Sequence, residues 1–323
     1  MKRPKTPKLM VVDRRSGELV EEPVLGDGLL RLAYTSPLRP IVRATLFRSG
    51  LASALLGWFS DTSWSRRRIK PTVTALDIDV EEFREPAESY RTFNDFFTRR
   101  LRDGARPYDP DPNIFCSPAD ARLTVIPQLE ETTVVPVKGA TFDLRSLLRR
   151  PPKDLVSFIG GPVLIFRLCP ADYHRYHFPT SGRVRSRHEI SGRYDSVNPL
   201  PISLGLPVFT ENRRVVSMVH FEHFGPAAFV EVGAFGVGGI VETHGDGTFE
   251  KMGEKAYFRF GSSTLILVLE RNRIHIDSDL IENSNRGLES LVRAGERVGA
   301  GSSAAPQSQS EGRTRSERSS DGR

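Results

Sequence analysis

Tyr257-Phe258-Arg259-Phe260-Gly261-Ser262-Ser263-Thr264 leads directly into Leu265-Ile266-Leu267-Val268-Leu269-Glu270. Aromatic residues meet a Gly-Ser-Ser-Thr break and then an unbroken apolar run, which predicts a strand, a tight turn and a buried strand. Small hydroxyl residues are ordinary turn residues, because they hydrogen-bond their own backbone. A hydroxyl becomes a nucleophile only beside a base, so the reading turns on what else the chain carries. Two turn-like stretches upstream supply the missing parts. Cys116-Ser117-Pro118-Ala119-Asp120-Ala121-Arg122 holds a lone Asp, and Leu168-Cys169-Pro170-Ala171-Asp172-Tyr173-His174-Arg175-Tyr176-His177-Phe178-Pro179 holds a close His pair.

Around these stretches the texture is β-like. Short apolar runs at 123–126, 134–137, 163–168, 215–221, 229–232 and 265–269 are punctuated by Gly and Pro, with a single helix expected at 144–148. Upstream the periodicity is helical. Leu46, Phe47, Leu51, Leu55, Trp58 and Phe59 recur at helical spacing, and Phe93, Phe96 and Phe97 share a face behind Thr92 or Ser89 as N-cap. The fold class is therefore α+β: N-terminal helices followed by a β-rich catalytic domain. The expected boundaries are an extended, poorly ordered arm over 1–27, a helical, membrane-associating region over 28–112, a β-rich domain over 113–298, and a disordered tail over 299–323 rich in Ser, Arg, Gly and Gln.

Charge narrows the partners. The 323 residues carry a net charge of +6, which suits nucleic acid or an anionic membrane surface. The basic residues are scattered, apart from Arg66-Arg67-Arg68 and Arg99-Arg100, and no nucleic-acid motif accompanies them, so the membrane is favoured. Trp58, Phe59 and Trp64 beside Arg66, Arg67, Arg68 and Lys70 fit an interfacial helix over residues 29–70, whereas a pair of core helices fits the same spacing; Pro71 is expected to end the region. No apolar stretch approaches the roughly 20 residues of a spanning helix, and residues 1–25 have no apolar core of signal-peptide type. The expectation is a peripheral protein of an inner or plasma membrane.

Cys116 and Cys169 are too few for a disulfide framework or a zinc site. His174 and His177, three apart, can share a face of a helical turn, but a metal needs further ligands that no cluster offers, so catalysis is preferred and no metal is expected. His220 and His223 repeat the spacing in a run read as strand, where residues three apart face opposite ways.

Seven motifs in a fixed order resemble the pyruvoyl-dependent phosphatidylserine decarboxylase proenzyme family. They are Thr92-Phe93-Asn94-Asp95-Phe96-Phe97 with Arg106-Pro107; Ser117-Pro118-Ala119-Asp120; Val137-Lys138-Gly139; Asp172-Tyr173-His174-Arg175-Tyr176-His177; Glu211-Asn212-Arg213-Arg214-Val215; Val232-Gly233-Ala234 with Val237-Gly238; and Phe260-Gly261-Ser262-Ser263-Thr264. The resemblance implies self-processing, in which a Ser attacks the preceding carbonyl, an ester forms, and elimination leaves a pyruvoyl group on the smaller C-terminal fragment. That covalent group condenses with the amine of phosphatidylserine and acts as electron sink for loss of CO2, so no external cofactor is implied. By motif match the relay is Asp120, His177 and a Ser, with His174 facing substrate or protonating product. The implied partners are phosphatidylserine, an anionic membrane and the two fragments of the chain held together, with room for a homodimer and no nucleic acid. The chain departs from the family at Ala121, where Gly is usual, and at Cys169, where Ser is commoner. It departs also at the cut: in the longer family form Ser263 is the nucleophile, whereas a Gly-Ser scissile pair makes it Ser262. A free amino acid or another aminophospholipid as substrate, and a non-catalytic lipid-surface homologue, are the alternatives.

Overall fold

The structure is a computed structural model that describes residues 9–22, 34–35, 51–130, 143–197, 199–233, 239–261 and 263–302. The strand expected at 134–137, the Val137-Lys138-Gly139 motif, Ala234 with Val237-Gly238, Ser262, most of 23–50 and the tail from 303 lie outside the described residues.

The strands, in chain order, are β1 (Met10–Asp13), β2 (Leu19–Glu21), β3 (Ile114–Cys116), β4 (Ala121–Ile126), β5 (Val163–Leu168), β6 (Arg175–His177), β7 (Gly182–Ile190) and β8 (Arg214–Phe221). They continue with β9 (Gly225–Val232), β10 (Ile240–Glu242), β11 (Gly247–Phe249), β12 (Glu254–Phe258), β13 (Ser263–Leu269), β14 (Ile274–Ile276), β15 (Glu289–Val292) and β16 (Arg297–Gly301). Ten of them form one sheet in the order β11-β7-β8-β9-β13-β5-β4-β15-β1-β2, antiparallel except where β1 lies parallel to β15.

The apolar run 263–269 becomes β13, seated between β5 and β9. Such a run suits a strand covered on both faces. Leu265, Leu267 and Leu269 join one core with Leu164, Phe166 and Phe229, while Ile266 and Val268 join the other with Ile165 and Val230. The small sheet β10-β12-β6 closes the first face through Tyr176, Ala256 and Phe258. The helix Leu144–Leu148 and the short helices Pro199–Ser203 and Val208–Glu211 close the second.

The helix Phe93–Phe97 begins with a capping box, Thr92 Oγ1 accepting from Asp95 N–H at 3.0 Å and Asp95 Oδ2 from Thr92 N–H at 3.1 Å. It buries Phe93, Phe96 and Phe97 against Ile69, Phe83 and Tyr90. Helices also run over Leu51–Ser60 and Ile69–Ala75. Pro71 sits in the first turn of the latter and does not end the region, since a proline there removes an N–H that has no intrahelical partner anyway.

Three expectations change. Part of the supposed arm is ordered, because β1 and β2 pair and extend the main sheet. The β-rich region runs past 298 to Gly301, where β16 pairs with β14 and β3. The two histidines do not share a helical turn: His174 precedes β6 and His177 ends it, so successive side chains point to opposite faces.

Candidate active site

Gly261 carries φ of 150°, a backbone region that glycine enters without a Cβ penalty, and it turns the chain from β12 into β13. Ser263 opens β13 opposite Leu168 of β5. Its hydroxyl is buried and has no hydrogen-bond partner among the described residues, and the same holds for Thr264 Oγ1. A buried hydroxyl without a partner costs on the order of 1–3 kcal/mol, so its retention calls for an explanation in function.

The N-terminal helices form the wall above this turn. Phe260 meets Phe93 at 4.8 Å and Phe97 at 5.3 Å, edge to face in both cases. Asn94 Oδ1 accepts from Phe260 N–H at 2.9 Å, and Asn94 Nδ2 donates to Asp61 Oδ1 at 2.8 Å. Asp61 in turn pairs with Arg259. The Thr92–Phe97 motif thus holds the turn from outside the β-domain.

His174 also packs on Phe97, the ring centroids 3.8 Å apart. Its Nδ1 is 2.9 Å from the Asp172 carbonyl oxygen. A carbonyl can only accept, so Nδ1 carries the proton and Nε2 the lone pair. Nε2 is buried without a partner among the described residues. Burial, then the nearby charge of Arg99, lower the imidazole to about 3, so it is neutral at working pH. The Asp172 carboxylate accepts from Cys169 N–H at 2.6 Å and pairs with Arg122. Burial raises this carboxyl against the opposing pull of Arg122.

Behind Asp172 stands a dry charge cluster. Arg167 donates to Glu22 at 2.7 Å and pairs with Glu289, and Arg122 lies 3.0 Å from Glu22. Burial alone would raise Glu22, but Arg167 and Arg122 outweigh it and hold the carboxyl down to about 2. Cys169 packs against both Arg167 and Glu22, and burial pushes its thiol up.

Asp120 and His177 form a second pair, the carboxylate buried and the imidazole less enclosed than that of His174. Arg106 holds Asp120 through Nε at 2.9 Å and Nη2 at 2.7 Å, and Ala294 N–H donates to it at 2.9 Å. His177 is half-buried, its Nδ1 3.0 Å from the Met252 carbonyl and its ring stacked on Tyr173 at 5.9 Å. Burial lowers this imidazole, and the charge of Asp120 works the other way. No hydrogen bond joins Asp120 to His177, or either to Ser263, among the described residues.

Sequence reasoning passed over Arg99, Arg106, Arg122 and Glu22 as site residues. Their partners are distant in sequence, and the only local signal is an Arg placed among apolar residues. It also passed over Lys255, which a β-bulge between Glu254 and Ala256 turns into the core against Glu231. Cys116 and Cys169 are buried and free. No cluster of His, Cys, Asp and Glu able to hold a metal occurs among the described residues.

Comparison with known proteins gives the arrangement its class. Residues 93–300 match the sequence profile of phosphatidylserine decarboxylase, which makes this an enzyme of the carboxy-lyase class. The chain is 37% identical over 294 residues to the phosphatidylserine decarboxylase proenzyme of Fusobacterium nucleatum, covering 90% of this chain and 97% of that one. It is also 37% identical over 288 residues to the proenzyme of Desulfitobacterium hafniense, covering 89% and 96%. With that of Clostridium perfringens the identity is 37% over 292 residues, covering 90% and 99%. The chain belongs to the phosphatidylserine decarboxylase family.

Proposed function

We propose that the chain is a proenzyme that cuts itself between Ser262 and Ser263 and then decarboxylates phosphatidylserine to phosphatidylethanolamine. One observation carries the reading: the Ser263 hydroxyl, buried at the head of a central strand, has no partner among the described residues, and Phe260, three residues before it, packs on the same Phe97 as His174, whose Nε2 is likewise without a partner there. In the cut, Ser263 Oγ adds to the carbonyl carbon of residue 262, the C–N bond breaks and an ester forms. Loss of the Ser263 Cα proton then expels the carboxylate of residue 262, and water releases ammonia from the dehydroalanine to leave a pyruvoyl group. A base must take the hydroxyl proton. The motif match assigns that base to His177 with Asp120, but the surroundings of the two imidazoles support His174 for the role.

The described residues suit the resulting group. Ser263 is enclosed and dry, and His174 Nε2 carries no competing bond among the described residues. A pyruvoyl carbonyl, once present, supplies the electron sink for loss of CO2. Cohesion of the fragments is supported by β13, which keeps β5 on one side and β9 on the other after a cut at its first residue. The names of the relatives favour a phospholipid over a free amino acid.

A peripheral seat on an anionic membrane is supported by Trp58 and Trp64, 68% and 70% exposed, beside Arg66, Arg67 and Arg68. No helix among the described residues is long and apolar enough to cross a membrane. Intact mass tests the central claim: a small fragment beginning with pyruvoyl and then Thr264 is expected. A well-folded sample that stays full-length would refute it.

A further inference from the structure

The Arg99-Arg100 cluster borders a pocket of about 400 Å3 that Asp95 and Thr98, of the Phe93–Phe97 helix and its C-terminal end, also line. Four guanidinium groups line it, those of Arg84, Arg99, Arg100 and Arg175, against two carboxylates, those of Glu85 and Asp95. Asp95 is committed to the capping box. Arg175 is committed to Glu254 at 2.9 Å and to the Thr98 carbonyl at 2.9 Å. Neither Arg84 nor Arg100 forms an ion pair among the described residues.

The floor supplies donors with nothing to meet. Arg99 is 4% exposed, and its Nη2 donates to the carbonyls of Ala171 at 2.8 Å and Asp172 at 3.0 Å. Its Nε and Nη1 are buried and have no partner among the described residues, as is the hydroxyl of Tyr90, which also lines the pocket. Among the described residues no carboxylate forms an ion pair with Arg99, on which Asp120 and Asp172 act only through their charge; its guanidinium lies over Phe83 and Phe96 at 4.9 and 5.2 Å. Buried guanidinium groups are ordinarily paired, and the planar fork fits an oxyanion with two acceptor oxygens.

We propose that this pocket binds a phosphate oxyanion, and that in the working enzyme the phosphodiester of the phospholipid headgroup fills it. The second half rests on phosphatidylserine being the substrate. The pocket is coupled to the site through one atom: the Asp172 carbonyl that receives Arg99 Nη2 also receives His174 Nδ1. An anion held there would fix a headgroup beside the guanidinium that shares the Asp172 carbonyl with the imidazole.

The test uses the full chain with Arg100→Ala and, separately, Tyr90→Phe, which removes a single hydroxyl. Self-cleavage is scored first on a denaturing gel, so that only processed protein enters the kinetic arm. Calorimetry with inorganic phosphate should show binding to wild type, weakened about tenfold by Arg100→Ala. With dihexanoyl phosphatidylserine, KM should rise about tenfold with kcat little changed, because contacts to a remote phosphate are made equally in ground and transition states. Weakened phosphate binding with unchanged KM would sustain a site for free phosphate and remove the headgroup as its occupant. A wild-type chain that binds no phosphate, or variants that keep both constants, would overturn the anion site. A wild-type chain that never cleaves would defeat the proposed function instead, and calorimetry would still read the pocket.

Discussion

Two Asp–His pairs stand near the turn at Ser263, and they are built differently. Asp172 and His174 are dry: the imidazole is fully enclosed, stacked close on Phe97, lowered to about 3 by burial and Arg99, and left with a bare Nε2. In the other pair Asp120 is as buried as Asp172, its carboxylate saturated by Arg106 and Ala294 N–H, and only the His177 imidazole, half-buried beside Tyr173, is more open. Both rings present Nε2 as the unprotonated nitrogen, because each Nδ1 faces a carbonyl. Tautomer therefore does not separate them. Enclosure does, since a site kept from water strengthens the electrostatic interactions inside it and limits proton leakage to solvent.

The largest effect sharpens the comparison at its centre. Ser263→Ala should leave a full-length chain with no activity, while Ser262→Gly should still be cut. If Ser262 is the nucleophile the two outcomes exchange, and the small fragment gains one Ser residue in mass.

The next effect can break the comparison outright. His174→Ala should slow self-cleavage by about a hundredfold or more, the usual scale for loss of a general base. His177→Ala and Asp120→Asn should slow it less. A His177→Ala chain that fails to cleave while His174→Ala cleaves normally would return the relay to Asp120 and His177, and leave His174 to the substrate.

A third effect concerns acid. The unfolded imidazole protonates near its ordinary value of about 6.5, whereas folded His174 is held to about 3. The unfolded state thus binds the extra proton between these values, and stability falls as pH drops through that window. Glu22 adds a lower one: its folded carboxyl sits at about 2 against an ordinary value of about 4.3. Its contribution, present above the ordinary value, is lost as pH falls toward the folded one. Urea midpoints followed from pH 7 to 3 should decline, less steeply in the upper range for His174→Ala. An equally steep decline in that variant would show that the dry imidazole is not the source.

The smallest effect lies outside both pairs. Trp58→Ala with Trp64→Ala should weaken flotation on anionic vesicles about tenfold, from lost apolar burial, and leave self-cleavage alone. Equal flotation would remove these side chains as the membrane contact.

Much of the fold was legible. The run 265–269 reads as a strand covered on both faces because nothing in it alternates, and it proved central to the main sheet. Thr92 as N-cap was legible because a capping box is complete within four residues. The helix expected at 144–148 occurs as Leu144–Leu148, capped by Asp143. The strands β1 and β2 at the end of the main sheet were not, since a run of three or four residues gains strand character only from the neighbour it pairs with. Pro71 misled because proline reads as a stop, and the start of a helix is the exception.

The sequence by itself determined where the proposed nucleophile stands: a small hydroxyl pair between an aromatic strand end and a fully buried strand, a pattern complete within a dozen residues. It also determined the family, through motifs whose order survives without any knowledge of contacts. Only the tertiary structure decided which histidine is enclosed and which charges surround it. Glu22 reaches Arg167 across 145 positions, and Ala294 reaches Asp120 across 174. Local spacing fixes which way a side chain leaves its own backbone. Desolvation and charge pairing depend on what the sheet's crossovers bring alongside, and these set the chemistry of an imidazole.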